Sequence, residues 1–180
     1  MRRFATWTRL ILLASLCTWS SASAAQVALQ FQQLPREIRE HAAHVRNSCK
    51  EYEPTFAVVN EMQGIQILSL KGDGARDLVV DNEGLCGTQW AGANCSNRAC
   101  EMRIYKEVAR GQWQKVFEEN LYSKYLVVDY ERMRLQMIIA AIYAGDPRCK
   151  PDPRKDYTSG KSCNLIVTYR DDRWTWQKIP

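Results

Sequence analysis

The chain reads as an α+β protein: one N-terminal amphipathic helix packed on a curved antiparallel sheet of about seven or eight strands, stapled by disulfides. Three observations predict this class. Leu34, Ile38, Ala42, Val45 and Cys49 recur at the three- and four-residue spacing of one helix face. Beyond Pro54 the apolar residues alternate in short runs separated by Gly, Asp and Asn, which is strand-and-turn texture. The connections between these runs are short, and strands joined by short connections pair antiparallel.

The first 24 residues carry the pattern of a secretory signal peptide. Arg2, Arg3 and Arg9 form a positive leader, Leu10 to Cys17 is the apolar run, and Ala22-Ser23-Ala24 offers a small-residue cleavage site. Ser23-Ala24-Ala25 is an alternative cut. The run is well short of the roughly 20 apolar residues that cross a bilayer, and bulky Leu16 before Cys17 argues against a lipoprotein. The reading is therefore a leader over 1–24, a single secreted domain over 25–180, and no membrane span in the mature chain.

Removal of the leader changes the charge. The whole chain has 25 Lys and Arg against 20 Asp and Glu. Without the three leader arginines, 22 basic and 20 acidic groups remain. A nucleic-acid partner needs a clustered basic field, and an excess of two spread along the chain supplies none.

The elements follow in order. Pro35 suits the first turn of a helix over about 35–49. Thr55–Val59 is short and β-prone. Ile65–Leu70, the Lys71-Gly72-Asp73-Gly74 turn and Leu78–Val80 make a hairpin. Residues 82–99 are rich in Gly, Asn and Ser and form a surface loop. Met102–Glu107 and Trp113–Phe117 flank Arg110-Gly111 as a second hairpin. Tyr125–Tyr130 is a further strand; Leu135–Tyr143 could be a short helix, but Ile138-Ile139 favours a strand. A Pro/Gly/Asp loop spans 145–161, and Leu165–Tyr169 turns at Asp171-Asp172 into Trp174–Trp176. No repeat of fixed period is present.

Six cysteines remain beyond the leader: Cys49, Cys86, Cys95, Cys100, Cys149 and Cys163. An even number after a secretory signal implies disulfides, with fifteen connectivities open (about 15 by simple pairing). Zinc would need two paired knuckles, and Cys95 with Cys100 makes only one. The mostly local set Cys49–Cys86, Cys95–Cys100 and Cys149–Cys163 is preferred. Loop-closure entropy assigns these about 4, 2 and 3 kcal/mol.

Ser69-Leu70-Lys71-Gly72-Asp73-Gly74-Ala75-Arg76-Asp77-Leu78-Val79-Val80-Asp81 resembles the D-x-[DN]-x-D-G-x-x-D-L-x-V calcium loop of FG-GAP-type repeats. It is also similar to small secreted bacterial proteins of unknown function that carry one such loop. Those proteins imply the same layout of Cys49, Cys86, Cys149 and Cys163, and an R-W strand matching Arg173-Trp174. The resemblance implies no activity. Ser69 and Lys71 stand at loop positions that should carry ligand oxygens, so Ser69, Asp73 and Asp77 are only weak metal candidates. The expectation is a tight turn capped by Asp73 and Asp77, with no metal and no cofactor.

Catalytic patterns are incomplete. His41 and His44 share a helix face, but no third zinc ligand is marked by spacing. Gly160-Lys161-Ser162 lacks the earlier P-loop glycine, and no nucleophile elbow exists. Asp171-Asp172 and Glu118-Glu119 read as solvated pairs. Trp174 and Trp176 share one strand face and suit a core. The expected function is non-enzymatic binding of a protein or cell-envelope component through the stapled loop 84–100, using Trp90, Asn94, Asn97 and Arg98, in a secreted, periplasmic protein. The alternative is a carboxylate-dependent envelope hydrolase using Asp73, Asp77, Asp81 and Glu83. A further alternative is a structural module with a vestigial calcium loop.

Overall fold

The computed structural model describes residues 29–87, 95–96, 99–152, 154 and 161–179. Helix α1 (Arg36–Tyr52) begins after Pro35 and runs three residues beyond Cys49. Among the described residues nine strands follow: β1 (Ile65–Leu68), β2 (Asp77–Asp81), β3 (Cys95–Ser96), β4 (Ala99–Ala109), β5 (Gln112–Leu121), β6 (Ser123–Asp129), β7 (Arg134–Tyr143), β8 (Ser162–Arg170) and β9 (Arg173–Lys178). A short helix α2 (Asn82–Cys86) lies inside the stretch expected to be loop.

The strands divide between two antiparallel sheets, which corrects the expectation of one curved sheet. The first is four strands wide, β1-β2-β4-β5, with two-residue β3 alongside β4 beyond the end of β2. The second runs β6-β7-β8-β9. The split falls at Tyr122, between β5 and β6, where the Tyr122 N–H donates to Ala141 O at 2.8 Å. There the chain leaves the edge of the first sheet and opens the second. A second link is the Ser69–Arg134 bridge: Ser69 N–H donates to Met133 O at 2.7 Å, and Leu135 N–H to Ser69 O at 2.9 Å.

Alternation along β2 sets the layers. Leu78 and Val80 join Ile38, Ala42, Val45, Cys49 and Tyr105 in a core beneath α1. Val79 instead joins Met102, Ile104, Ile138, Leu165 and Val167 between the sheets. The order is helix, sheet, sheet, because a two-faced apolar strand must be covered on both sides. Trp174 and Trp176 pack onto the inter-sheet core, with ring centroids 4.7 and 5.9 Å from Phe117. Leu135–Tyr143 is a strand, so its β-branched pair prevails over helical spacing. Thr55–Val59 forms no strand: no partner strand flanks it, and Val59 is 87 % exposed. Among the described residues no helix is long and apolar enough to cross a membrane.

Three disulfides are present. Cys49–Cys86 ties α1 to α2, Cys95–Cys100 closes the β3–β4 hairpin, and Cys149–Cys163 joins the connection after β7 to β8.

Candidate functional site

Trp90, Asn94, Asn97 and Arg98 lie outside the described residues. The chain on both sides of them is described. On one side Asp81 caps α2, accepting from Glu83 N–H at 3.0 Å, and buried Cys86 carries the bond to α1. Between Asn94 and Asn97, Cys95 is bonded to its cross-strand partner Cys100, which follows Arg98 in the chain and belongs to β4.

Two polar clamps hold the start of α2. The Lys124 ammonium of β6, with a side chain only 6 % exposed, reaches Asp81 Oδ1 at 2.8 Å and Glu83 Oε2 at 2.9 Å. His41 Nε2 of α1 lies 2.8 Å from Oδ1 of buried Asn82. Burial lowers the His41 pKa, so the ring is neutral at pH 7. Backbone contact adds a third constraint. Gly64, at φ +78°, lies so close to α2 that a Cβ there would come within 2.3 Å of Leu85 N. Only glycine permits that approach.

The β1–β2 turn is built differently. Gly72 and Gly74 both have positive φ. Ser69 Oγ donates to Asp73 Oδ1 at 3.0 Å, and Asp73 Oδ1 also accepts from Ala75 N–H at 3.0 Å. The Ala75 N–H is the main cause that holds the Asp73 pKa low. Buried Asp77 accepts from Leu70 N–H at 2.7 Å and Glu107 N–H at 2.8 Å. Burial pushes its carboxyl up, against the pull of those amides. Lys71 turns away from the loop centre and donates to Asp172 at 2.9 Å. Ser69 Oγ, Asp73 Oδ1 and both carboxylate oxygens of Asp77 are therefore engaged by protein donors. Among the described residues no three His, Cys, Asp or Glu side chains group as metal ligands.

The four acids of the hydrolase reading do not converge. Asp73 and Asp77 belong to the turn before β2, whereas Asp81 and Glu83 meet at Lys124 after it. At ~3.3 Å per strand residue, Asp77 and Asp81 are ~13 Å apart along β2, too far for the ~5–9.5 Å of cooperating glycosidase carboxylates.

Glu107 anchors the turn from β4. Its carboxylate accepts from Arg76 Nη2 at 2.8 Å, Arg76 N–H at 2.9 Å and Gly111 N–H at 2.9 Å. Burial raises its pKa, but these donors outweigh burial and bring it down to about 2. Asp172, expected to be merely solvated, accepts from Lys106 at 2.5 Å, Lys71 at 2.9 Å and the Tyr169 hydroxyl at 2.9 Å. Lys106 and Lys71 hold its carboxyl far below the usual range.

Two clefts flank the turn. One, of about 390 Å³, has an apolar floor of Leu29, Ile67, Leu68 and Met133. The other, of about 480 Å³, lies between the turn and the β8–β9 hairpin. Sequence reasoning missed Lys124, Arg134 and Glu107. Lone charges inside strand patterns give no signal until register places them, although the inward position of Lys124 between Ser123 and Tyr125 was legible from period-2 alternation.

Comparison of the chain with protein-family models, with curated proteins and with solved structures finds no match.

Proposed function

We propose that this is a secreted, periplasmic, non-enzymatic binding protein whose contact surface is the segment 84–100, with Trp90 as its apolar anchor and Asn94, Asn97 and Arg98 as polar contacts. One observation carries the reading: the segment is crosslinked at two points, Cys86 to α1 and Cys95 to Cys100 at the start of β4. A segment with fixed ends loses less entropy on docking than a free loop. The partner class is a protein or a cell-envelope component.

A photoreactive amino acid at position 90 tests this in extract of the native envelope. The expected result is a discrete crosslinked species that excess unlabelled protein abolishes. The same probe at Tyr130, which is 77 % exposed, should give none. Equal labelling from both positions would sink the reading.

A second reading concerns the β1–β2 turn, which we take as a structural relic of a calcium loop. The two backbone amides that engage Asp77, one on each carboxylate oxygen, favour it. Calorimetry should then detect no micromolar calcium binding.

A further inference from the structure

The cleft between the β1–β2 turn and the β8–β9 hairpin is lined by Leu70, Lys71, Tyr169 and the hairpin residues Arg170, Asp171 and Asp172. Arg134 enters it from the start of β7. The arginine stem lies across Gly72, where a Cβ would stand 3.0 Å from Arg134 Cδ. Positive φ and this contact together require glycine at position 72.

The guanidinium has no answer within the described residues. Its Nε is buried and meets no acceptor, and no described carboxylate pairs with Arg134. Arginine cannot shed its proton, and a buried donor without an acceptor destabilises the fold. The neighbouring charge does not help. Asp172 is committed to Lys71, Lys106 and Tyr169. Asp171 alone then faces Arg134 and Arg170, so positive charge is in excess.

We propose that this cleft binds an oxyanion, a carboxylate or phosphate group, with Arg134 as its anchor and Lys71 and Arg170 supplying further positive charge. The planar guanidinium fork matches two oxygens of either group at once. Buried Leu70 and Tyr169 form a low-dielectric wall, which strengthens the attraction. The proposal stands without the assignment of segment 84–100.

Side-chain NMR of the disulfide-bonded chain tests the proposal. The Arg134 Nε–H signal is followed during titration with sodium acetate, sodium phosphate or sodium chloride at matched ionic strength. A saturable shift in acetate or phosphate, absent in chloride, is expected. Saturation in acetate alone supports carboxylate recognition, and saturation in phosphate alone supports a phosphate ligand. Arg134→Met keeps the apolar stem, and followed through the Lys71 and Leu70 signals it should weaken binding about tenfold or more. A linear shift shared by all three salts, or undiminished affinity in Arg134→Met, overturns the proposal. If Arg134→Met fails to fold, Lys71→Gln with Arg170→Gln takes its place, and unchanged affinity in that pair overturns it equally.

Discussion

The two ends of β2 hold acidic side chains by different means. At its start, buried Asp77 is held by backbone amides of Leu70 and Glu107, and the adjoining turn is pinned by Glu107. At its end, Asp81 and Glu83 meet the ammonium of Lys124, and a disulfide crosslinks the helix that follows. The difference teaches what each end resists. These amide donors belong to the backbone of β4 and of the β1–β2 turn, and they vanish only when that backbone unfolds. An ammonium and a disulfide hold an element that the sheet itself does not pair, because α2 has no ladder of its own.

Breaking the crosslinked end should cost most. The variant Cys49→Ala with Cys86→Ala frees a loop whose cysteines are 37 residues apart, and loop entropy predicts about 4 kcal/mol of lost stability by chemical denaturation. A loss below about 1 kcal/mol would assign the hold on α2 to the polar clamps instead. Lys124→Met comes next. It strips the counter-charge from Asp81 and Glu83, and about 3 kcal/mol is expected, in the range for removing one partner of a buried ion pair. An unchanged denaturation midpoint would show that both acids are adequately solvated.

At the other end, Glu107→Gln should cost about 2 kcal/mol at pH 7, the scale of hydrogen bonds to a charged acceptor. Its pH dependence is the sharper readout. The Glu107 carboxyl drops from an ordinary 4.5 to about 2 on folding. Its contribution is therefore complete above pH 4.5, fades as pH falls from there, and is lost as pH falls through about 2 and the folded state protonates too. The variant should lose this acid-labile component, and an identical stability profile from pH 5 to 2 would contradict the assignment. The smallest effect belongs to His41. Burial depresses its pKa, so the fold favours the neutral ring and loses stability as pH falls below 6.5. His41→Gln should flatten the stability curve below about pH 6.5.

Much of the architecture was legible because it rests on period. The three-four spacing from Leu34 to Cys49 marks α1, and the alternation from Met102 onward marks strands. An even cysteine count beyond residue 24 signalled disulfides, which the structure contains. The division into two sheets was not legible. It depends on the turn at Tyr122 and on the Ser69–Arg134 bridge, and neither leaves a local pattern. Helix α2 was hidden by Gly84 and Gly87, which read as loop; its support comes from Gly64, twenty residues upstream of Gly84, and from Lys124. Asp172 looked solvated because its partners Lys71 and Lys106 are distant in sequence. Segment 84–100 was singled out by composition and cysteines alone, and its candidate contacts are outside the described residues.

The β8–β9 hairpin carries a consequence for redesign. Asp171 and Asp172 both sit in the left-handed region, at φ 50° and 59°, where Asn-Gly is the comfortable occupant of a two-residue tip. A designer seeking a more relaxed hairpin would make that exchange first. The exchange would delete the carboxylate that Lys71 and Lys106 share and leave two neighbouring ammonium groups without it. Local comfort and long-range charge balance pull this tip in opposite directions, and the natural sequence has settled the contest for the charge.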